Sequence, residues 1–312
     1  MTFNNYVETF GGMPIKEHQP GDAITDSNVA WRVAIGGDLY YGDEYGKIVP
    51  GDYYANFFNV DGLNKIQTLV FGCWNFEGDG DVSQIVNPLV KNADKFPNLR
   101  TLFLGDIISE DCEVSWLEMS NISKLWAAFP QLEVFWIRGG ENLSFGKIEH
   151  ANLKELVVQS GGLPKSVVNE VLNASLPNLE HLELWLGDEG YGADTSVDDF
   201  KSLLDGSLFP KLKYLGLCNS QYTDELAKGL ATSAIIDRIE TLDLSSGTLG
   251  DEGAEALLAS GKLDNLKKLD VHHHYLSDEY MAKLKALPCE VNVDEQEDAE
   301  DNDGDRYVAV SE

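Results

Sequence analysis

Residues 239–287 read IETLDLSSGTLGDEGAEALLASGKLDNLKKLDVHHHYLSDEYMAKLKAL. Ile239, Leu242, Leu244 and Leu249 return as Leu266, Leu269, Val271 and Leu276, 27 residues later. Alternating apolar residues mark a short strand, and each set is followed by a run with helical spacing: Ala254, Leu257 and Leu258, then Met281, Leu284 and Leu287. A strand and a returning helix therefore repeat as a unit.

The same frame appears upstream at Leu212, Leu215, Leu217; Leu179, Leu182, Leu184; Leu153, Leu156, Val158; Leu132, Phe135, Ile137; Leu99, Leu102, Leu104; and Ile66, Leu69, Phe71. A degenerate first copy reads Ala30, Val33, Ile35. This is the leucine-rich-repeat pattern. It predicts an α/β solenoid, a horseshoe with a parallel concave sheet of about nine strands and with helices or irregular segments on the convex side. Helices are expected over 82–93, 117–128, 167–176 and 197–204, and none in the 21-residue unit that starts at Leu132. Phe96-Pro97, Phe129-Pro130, Leu176-Pro177 and Phe209-Pro210 end the return segments, since proline cannot continue a helix. Acids at Thr223-Asp224-Glu225, Gly250-Asp251-Glu252 and Ser277-Asp278-Glu279 fall where a helix begins and its dipole favours negative charge.

Three regions follow. Residues 1–28 lack a sustained period and are expected to form an irregular N-terminal cap; residues 29–293 hold the repeats; residues 294–312 are an acidic C-terminal tail. Asp294 to Asp305 is acidic at eight of twelve positions, which predicts disorder, whereas Arg306 to Val310 is apolar enough to dock as an extended cap.

The formal charge of −30 disfavours nucleic acid and anionic lipid and suits a basic protein partner. Cys73, Cys112, Cys218 and Cys289 have no C-x-x-C spacing, so reduced thiols are expected. The first twenty residues lack the pattern of a secretory signal, and no stretch approaches a membrane span, which makes a cytoplasmic location the expectation. Asp301 to Asp305 resembles a calcium loop but lacks an acid at the first ligand position and a Glu at the twelfth. Phosphate-loop, serine-hydrolase and zinc-protease motifs are absent from the sequence, and no cofactor is expected.

Residues between the leucines of each strand should face away from the helices. Phe103, Trp136, Arg138, His181, Trp185 and Tyr214 then form an aromatic centre suited to binding a protein, unless a loop folds over the rings. Asp243 and Asp270 fall at equivalent positions on neighbouring strands with His272 beside them, a set that serves structural hydrogen bonding or, as an alternative, a divalent cation or acid/base chemistry. The expected function is a non-catalytic protein-protein interaction scaffold. A metal-dependent or accessory enzyme and an inhibitor of a basic enzyme such as a nuclease are the alternatives.

The DEGAEALL run at 251–258 resembles the ribonuclease-inhibitor-like class of leucine-rich repeats. More closely, LDLSSGTLGDEGAEALL, KLDVHHHYLSDE, LEHLELWLG and the terminal RYVAVSE are similar to an uncharacterised bacterial family of cytoplasmic leucine-rich-repeat proteins. That resemblance implies a fold and a compartment rather than a reaction. At the position that this class gives to Asn or Cys, the chain has Gly161, Gly187, Ser220, Gly247 and His274, so no asparagine ladder is expected there.

Overall fold

The sheet is open and runs in sequence order from β1 to β12, so each strand lies beside the one that precedes it in the chain. The computed structural model describes residues 3–35, 50–74, 80–299 and 304–311. The expected calcium-like string at 301–303 and part of the acidic tail lie outside the described residues. β1 (Thr9–Phe10) and β2 (Met13–Glu17) form an antiparallel hairpin, and every later pairing is parallel. β3 (Ala30–Val33), β4 (Thr68–Phe71), β5 (Thr101–Leu104), β6 (Val134–Arg138), β7 (Glu155–Gln159), β8 (His181–Gly187), β9 (Tyr214–Ser220), β10 (Thr241–Asp243), β11 (Lys268–Asp270) and β12 (Glu290–Asn292) complete it.

Twelve strands replace the nine expected. The extra ones lie at the ends: Glu290–Asn292 continues the leucine frame, and the hairpin forms within residues read as irregular. One register also differs from expectation. Trp31 pairs with Leu69 and Val33 with Phe71, so the frame of the first unit falls at Asn28, Trp31, Val33 rather than at Ala30, Val33, Ile35. The two-residue shift preserves which side chains face which way, because strand side chains alternate.

Leu69, Leu102, Phe135, Leu156, Leu182, Leu215, Leu242 and Leu269 pair in one continuous row and are all fully buried. They belong to a single core that joins the sheet to the return segments. Those segments are helical at Pro50–Phe57, Ser83–Lys91, Lys124–Ala128, Lys165–Leu172, Lys201–Leu204, Thr223–Thr232, Asp251–Ala259 and Asp278–Lys285. The helix expected over 117–128 is confined to its last five residues. The 21-residue unit between β6 and β7 has no helix, as its Gly- and Asn-rich sequence implies.

Two devices fix the stacking of units. Immediately before the strands, Arg100, Glu133, Lys154, Glu180, Lys213, Glu240 and Lys267 alternate in sign from one unit to the next. Lys154 pairs with Glu133 at 2.5 Å, Lys213 with Glu180 at 2.6 Å and Lys267 with Glu240 at 2.8 Å. Each bridge is exposed and weak by itself, but the alternation disfavours a slipped neighbour, which would oppose like charges. The helix-start acids act between units rather than within one. Asp224 Oδ1 accepts from the amides of Gly250 (2.8 Å) and Gly253 (3.0 Å), and Asp251 Oδ1 from that of Ser277 (2.8 Å). Each carboxylate thus satisfies orphan donors at the start of the following helix. A side-chain amide ladder exists too, beside the strand entrances: Asn98, Asn152 and Asn178 donate to the carbonyls of Asn64, Pro130 and Ala151.

Candidate interaction face

The sheet face opposite the helices carries two smaller apolar clusters, neither of which is part of the main core. Phe103, Trp136, Glu183, Asp243 and Asp270 lie in one register row of this face, as alternation requires. Trp136 and Trp185 therefore do not point into the spine. Trp185 is nevertheless covered, and Trp136 covered in part, by the two ends of the chain.

Phe10 of β1 sits 5.4 Å from the Phe103 ring and 5.2 Å from that of Trp136, and Phe103 is fully buried. Phe3 stacks on Trp185 at 5.3 Å while the Arg138 guanidinium lies 3.7 Å over the same Phe3 ring, leaving Trp185 7% and Arg138 4% exposed. Arg138 donates to the carbonyl of Ile107 and, at 3.0 Å, to Gln159 Oε1. Burial pushes its guanidinium down to about 9, opposed by the attraction of Asp106, so it is charged at neutral pH. Tyr6 stacks under Arg32 at 3.6 Å and donates to Asp111 at 2.7 Å. Burial and then Asp111 raise its phenol to about 12. Arg32 also forms an ion pair with Asp106 at 3.2 Å.

Phe103, Arg138 and Trp185 are thus withdrawn from the expected partner-binding set, because their faces are already occupied. Trp136 keeps partial exposure, with its indole donating to Glu155 at 2.6 Å. His181 and Tyr214 also stay partly exposed, their rings stacked 3.8 Å apart at 8°. Glu183 joins this group: it accepts from the Trp185 indole at 2.7 Å and faces the Tyr214 hydroxyl and His181 Nε2, each at 3.4 Å. Gly216 makes the crowding feasible, since a Cβ there would meet Glu183 Cγ at 2.9 Å. Tyr214 donates to Asp243 Oδ2 at 2.5 Å. Burial, with Glu183 and Asp243 beside it, drives the Tyr214 phenol far above its usual range.

Asp243 and Asp270 are register partners, but each is committed to protein donors. Asp243 accepts from Tyr214 and from the Ser245 amide at 2.9 Å; Asp270 accepts from His272 Nδ1 at 2.7 Å and pairs with Lys268 at 3.0 Å. Among the described residues no group of three His, Cys, Asp or Glu is placed to hold a metal ion. The alternative of a cation at Asp243, Asp270 and His272 is corrected accordingly: Tyr214, Lys268 and His272 side chains and the Ser245 amide engage the carboxylate oxygens, in the structural hydrogen bonding expected first. The histidine run divides three ways. His272 binds Asp270, His273 Nε2 contacts the carbonyl of Tyr307 at 3.2 Å, and buried His274 accepts from Leu276 N and reaches the carbonyl of Val293.

The Asp270–His272 pair makes stability depend on pH. Its hydrogen bond to Asp270 raises the His272 imidazole above 6.5, so that contribution is complete below about 6.5 and fades as pH climbs through the folded value. Burial alone would raise the Asp270 carboxyl, but His272 and Lys268 outweigh it and hold the group well below 3.8. Its contribution is present above about 4 and fades on acidification. Urea titrations across pH should show stability falling above about 6.5, with a shallower fall in His272→Ala. An unchanged slope in that variant excludes His272 as its source.

Sequence pattern assigns the strand faces and allows both a loop over the rings and a docked C-terminal segment, but does not single out the N-terminal residues that cover them. Phe3, Tyr6 and Phe10 have helical spacing yet form no helix, and the groups they cover, Arg32 apart, lie far away in the chain. The available signal was the presence of Arg32 and Arg138 on a face otherwise apolar at that end. Trp116, 67% exposed, was also passed over.

An ordered stack of strand-and-return units with a helix-free sheet face defines a leucine-rich-repeat-like protein. No family model matches the chain, and no curated protein matches it. A crystal structure of a protein from Bacteroides fragilis matches with 36% identity and a TM-score of 0.78, over 83% of this chain and 73% of that one. The chain belongs to the same family as that Bacteroides fragilis protein. An internalin from Listeria monocytogenes is 16% identical over 89% of this chain and 85% of its own, at a TM-score of 0.37, too low to support any conclusion. No described helix is long and apolar enough to cross a membrane.

Proposed function

We propose that the protein is a non-catalytic interaction scaffold of the ribonuclease-inhibitor-like leucine-rich-repeat class, and that a basic protein partner docks on the uncovered half of the helix-free face. The observation that carries this reading is the pairing of partly exposed Glu155 and Glu183 with Trp136 and the stacked His181–Tyr214 rings. Aromatic rings of this kind supply desolvated area, and the carboxylates, within a chain of charge −30, steer a basic surface toward it. The carboxylates accept hydrogen bonds from the same aromatic groups that form the platform, so they are held in place before a partner arrives. Pre-organisation lowers the entropy lost on docking.

Quantitative capture from lysate with the wild type, Glu155→Lys and His181→Ala tests the reading. One partner should be recovered roughly tenfold less by each variant, and its association should slow as salt is raised. Equal recovery by all three proteins, with unchanged melting temperatures, ends the proposal. Trp185→Ala is unsuitable for this test because its ring contacts Phe3.

A further inference from the structure

Asn219, Ser246 and His273 stand at equivalent positions of successive units, 27 residues apart, and all three have left-handed backbones with φ of 52°, 63° and 55°. Residues other than glycine rarely adopt this conformation, and a row of them points to a constraint beyond the strands themselves. Each touches the C-terminal segment. His273 Nε2 contacts the carbonyl of Tyr307 at 3.2 Å, the carbonyl of Ser246 accepts from the Ala309 amide at 2.9 Å, and Asn219 Oδ1 accepts from the Val310 amide at 3.0 Å while its Nδ2 donates to the Val310 carbonyl. The segment crosses the units in reverse order. Ser115 Oγ then donates to the carbonyl of Ser311 at 2.5 Å, and Gly161 leaves the passage open, since a Cβ there would lie 2.4 Å from that carbonyl oxygen. At the other end Arg306 pairs with Asp224 at 2.9 Å. Val308 and Val310 are buried, while the Tyr307 ring is 54% exposed.

Main-chain groups read by a repeated row, two buried small apolar side chains and one ion pair are how extended peptides are recognised. We propose that this row is a peptide-binding track, occupied here by the chain's own residues 306–311, which takes an extended segment of a second protein carrying Arg, an aromatic residue, Val, a small residue and Val in that order. The chain's own tail states that chemistry, because it is the sequence seated in the track. The preceding residues Asp294 to Asp305 are acidic at eight of twelve positions, so like-charge repulsion favours an extended chain once the tail leaves the track. The track adjoins the partner face through Trp185, which packs against Val310 and donates to Glu183, but the two proposals are tested by different variants and either can fail alone.

The full chain with Val308→Asp and Val310→Asp releases the tail without shortening it. A labelled peptide of residues 306–311 should bind this variant at least about tenfold more tightly than it binds the wild type, whose track is filled in cis. Adding Asn219→Ala to the variant should abolish that binding. A variant with native near-ultraviolet ellipticity that binds no more peptide than the wild type overturns the proposal. Hydrogen exchange of the unmodified chain gives a second test that does not require a stable variant. The amides of Ala309 and Val310 should exchange through local opening, faster than those of Leu215 and Leu242; exchange only with global unfolding would falsify displacement. Dimerisation at micromolar concentration through exchanged tails assigns the track to a second copy and overturns a different partner.

Discussion

Arg138→Ala should lower the free energy of unfolding by about 3–5 kcal/mol, read as a shift in the urea midpoint at constant slope. The guanidinium is 4% exposed and lies between Phe3 and the sheet. Removing it strands the Ile107 carbonyl and Gln159 Oε1, both satisfied by Arg138, without water to replace it. Asp106, fully buried, would also lose one of the two cations that offset its desolvation. Burial already raises that carboxyl, so the variant's instability should grow at pH above the Asp106 value, where the group must ionise beside a single arginine. Arg138→Lys should not rescue it, because an ammonium cannot stack on Phe3 while donating in two directions. A loss below about 1 kcal/mol would show that the N-terminal cover does not depend on this residue.

Asn219→Ala should detach the C-terminal segment while leaving the sheet intact. Asn219 binds the amide and carbonyl of Val310 and the carbonyl of Ser160, and it is fully buried. Loss of these bonds should cost about 3 kcal/mol, together with the strain of alanine at φ 52°. Limited proteolysis provides the readout: cleavage between Asp305 and Ser311 should rise steeply, with the repeats remaining resistant. Comparable protection of the tail in both proteins would place its anchor elsewhere, at Arg306 or Ser311. Arg306→Ala distinguishes these, because it removes the ion pair to Asp224 and leaves the Asn219 contacts in place.

The repeated units were legible because a leucine frame reports burial that each strand needs from its own neighbours. Leu242 and Leu269 announce one another at 27 residues, and their pairing follows. The first unit was misregistered because Ala30 and Val33 satisfy the frame by chance, while Trp31 is the residue the core takes. The N-terminal end could not be read in this way, whereas the apolar Arg306 to Val310 marked a docking segment without saying where it docks. Phe3 has meaning only once Trp185 and Arg138 are adjacent, and that proximity comes from the stacked units rather than from local spacing. The same limit applies to the carboxylates. Asp243 and Asp270 were placed correctly side by side, but which side chains would consume their oxygens depended on Tyr214 and Lys268 on flanking positions.

The alternating charges at the strand entrances constrain how such a chain can change its length. Excising the single unit that carries Lys154 would set Glu133 against Glu180, and excising the one with Glu180 would set Lys154 against Lys213. Losing or duplicating two consecutive units keeps opposite signs adjacent. Family members should therefore differ by even numbers of central coils, and a protein with an odd change should carry a reversed charge at the junction.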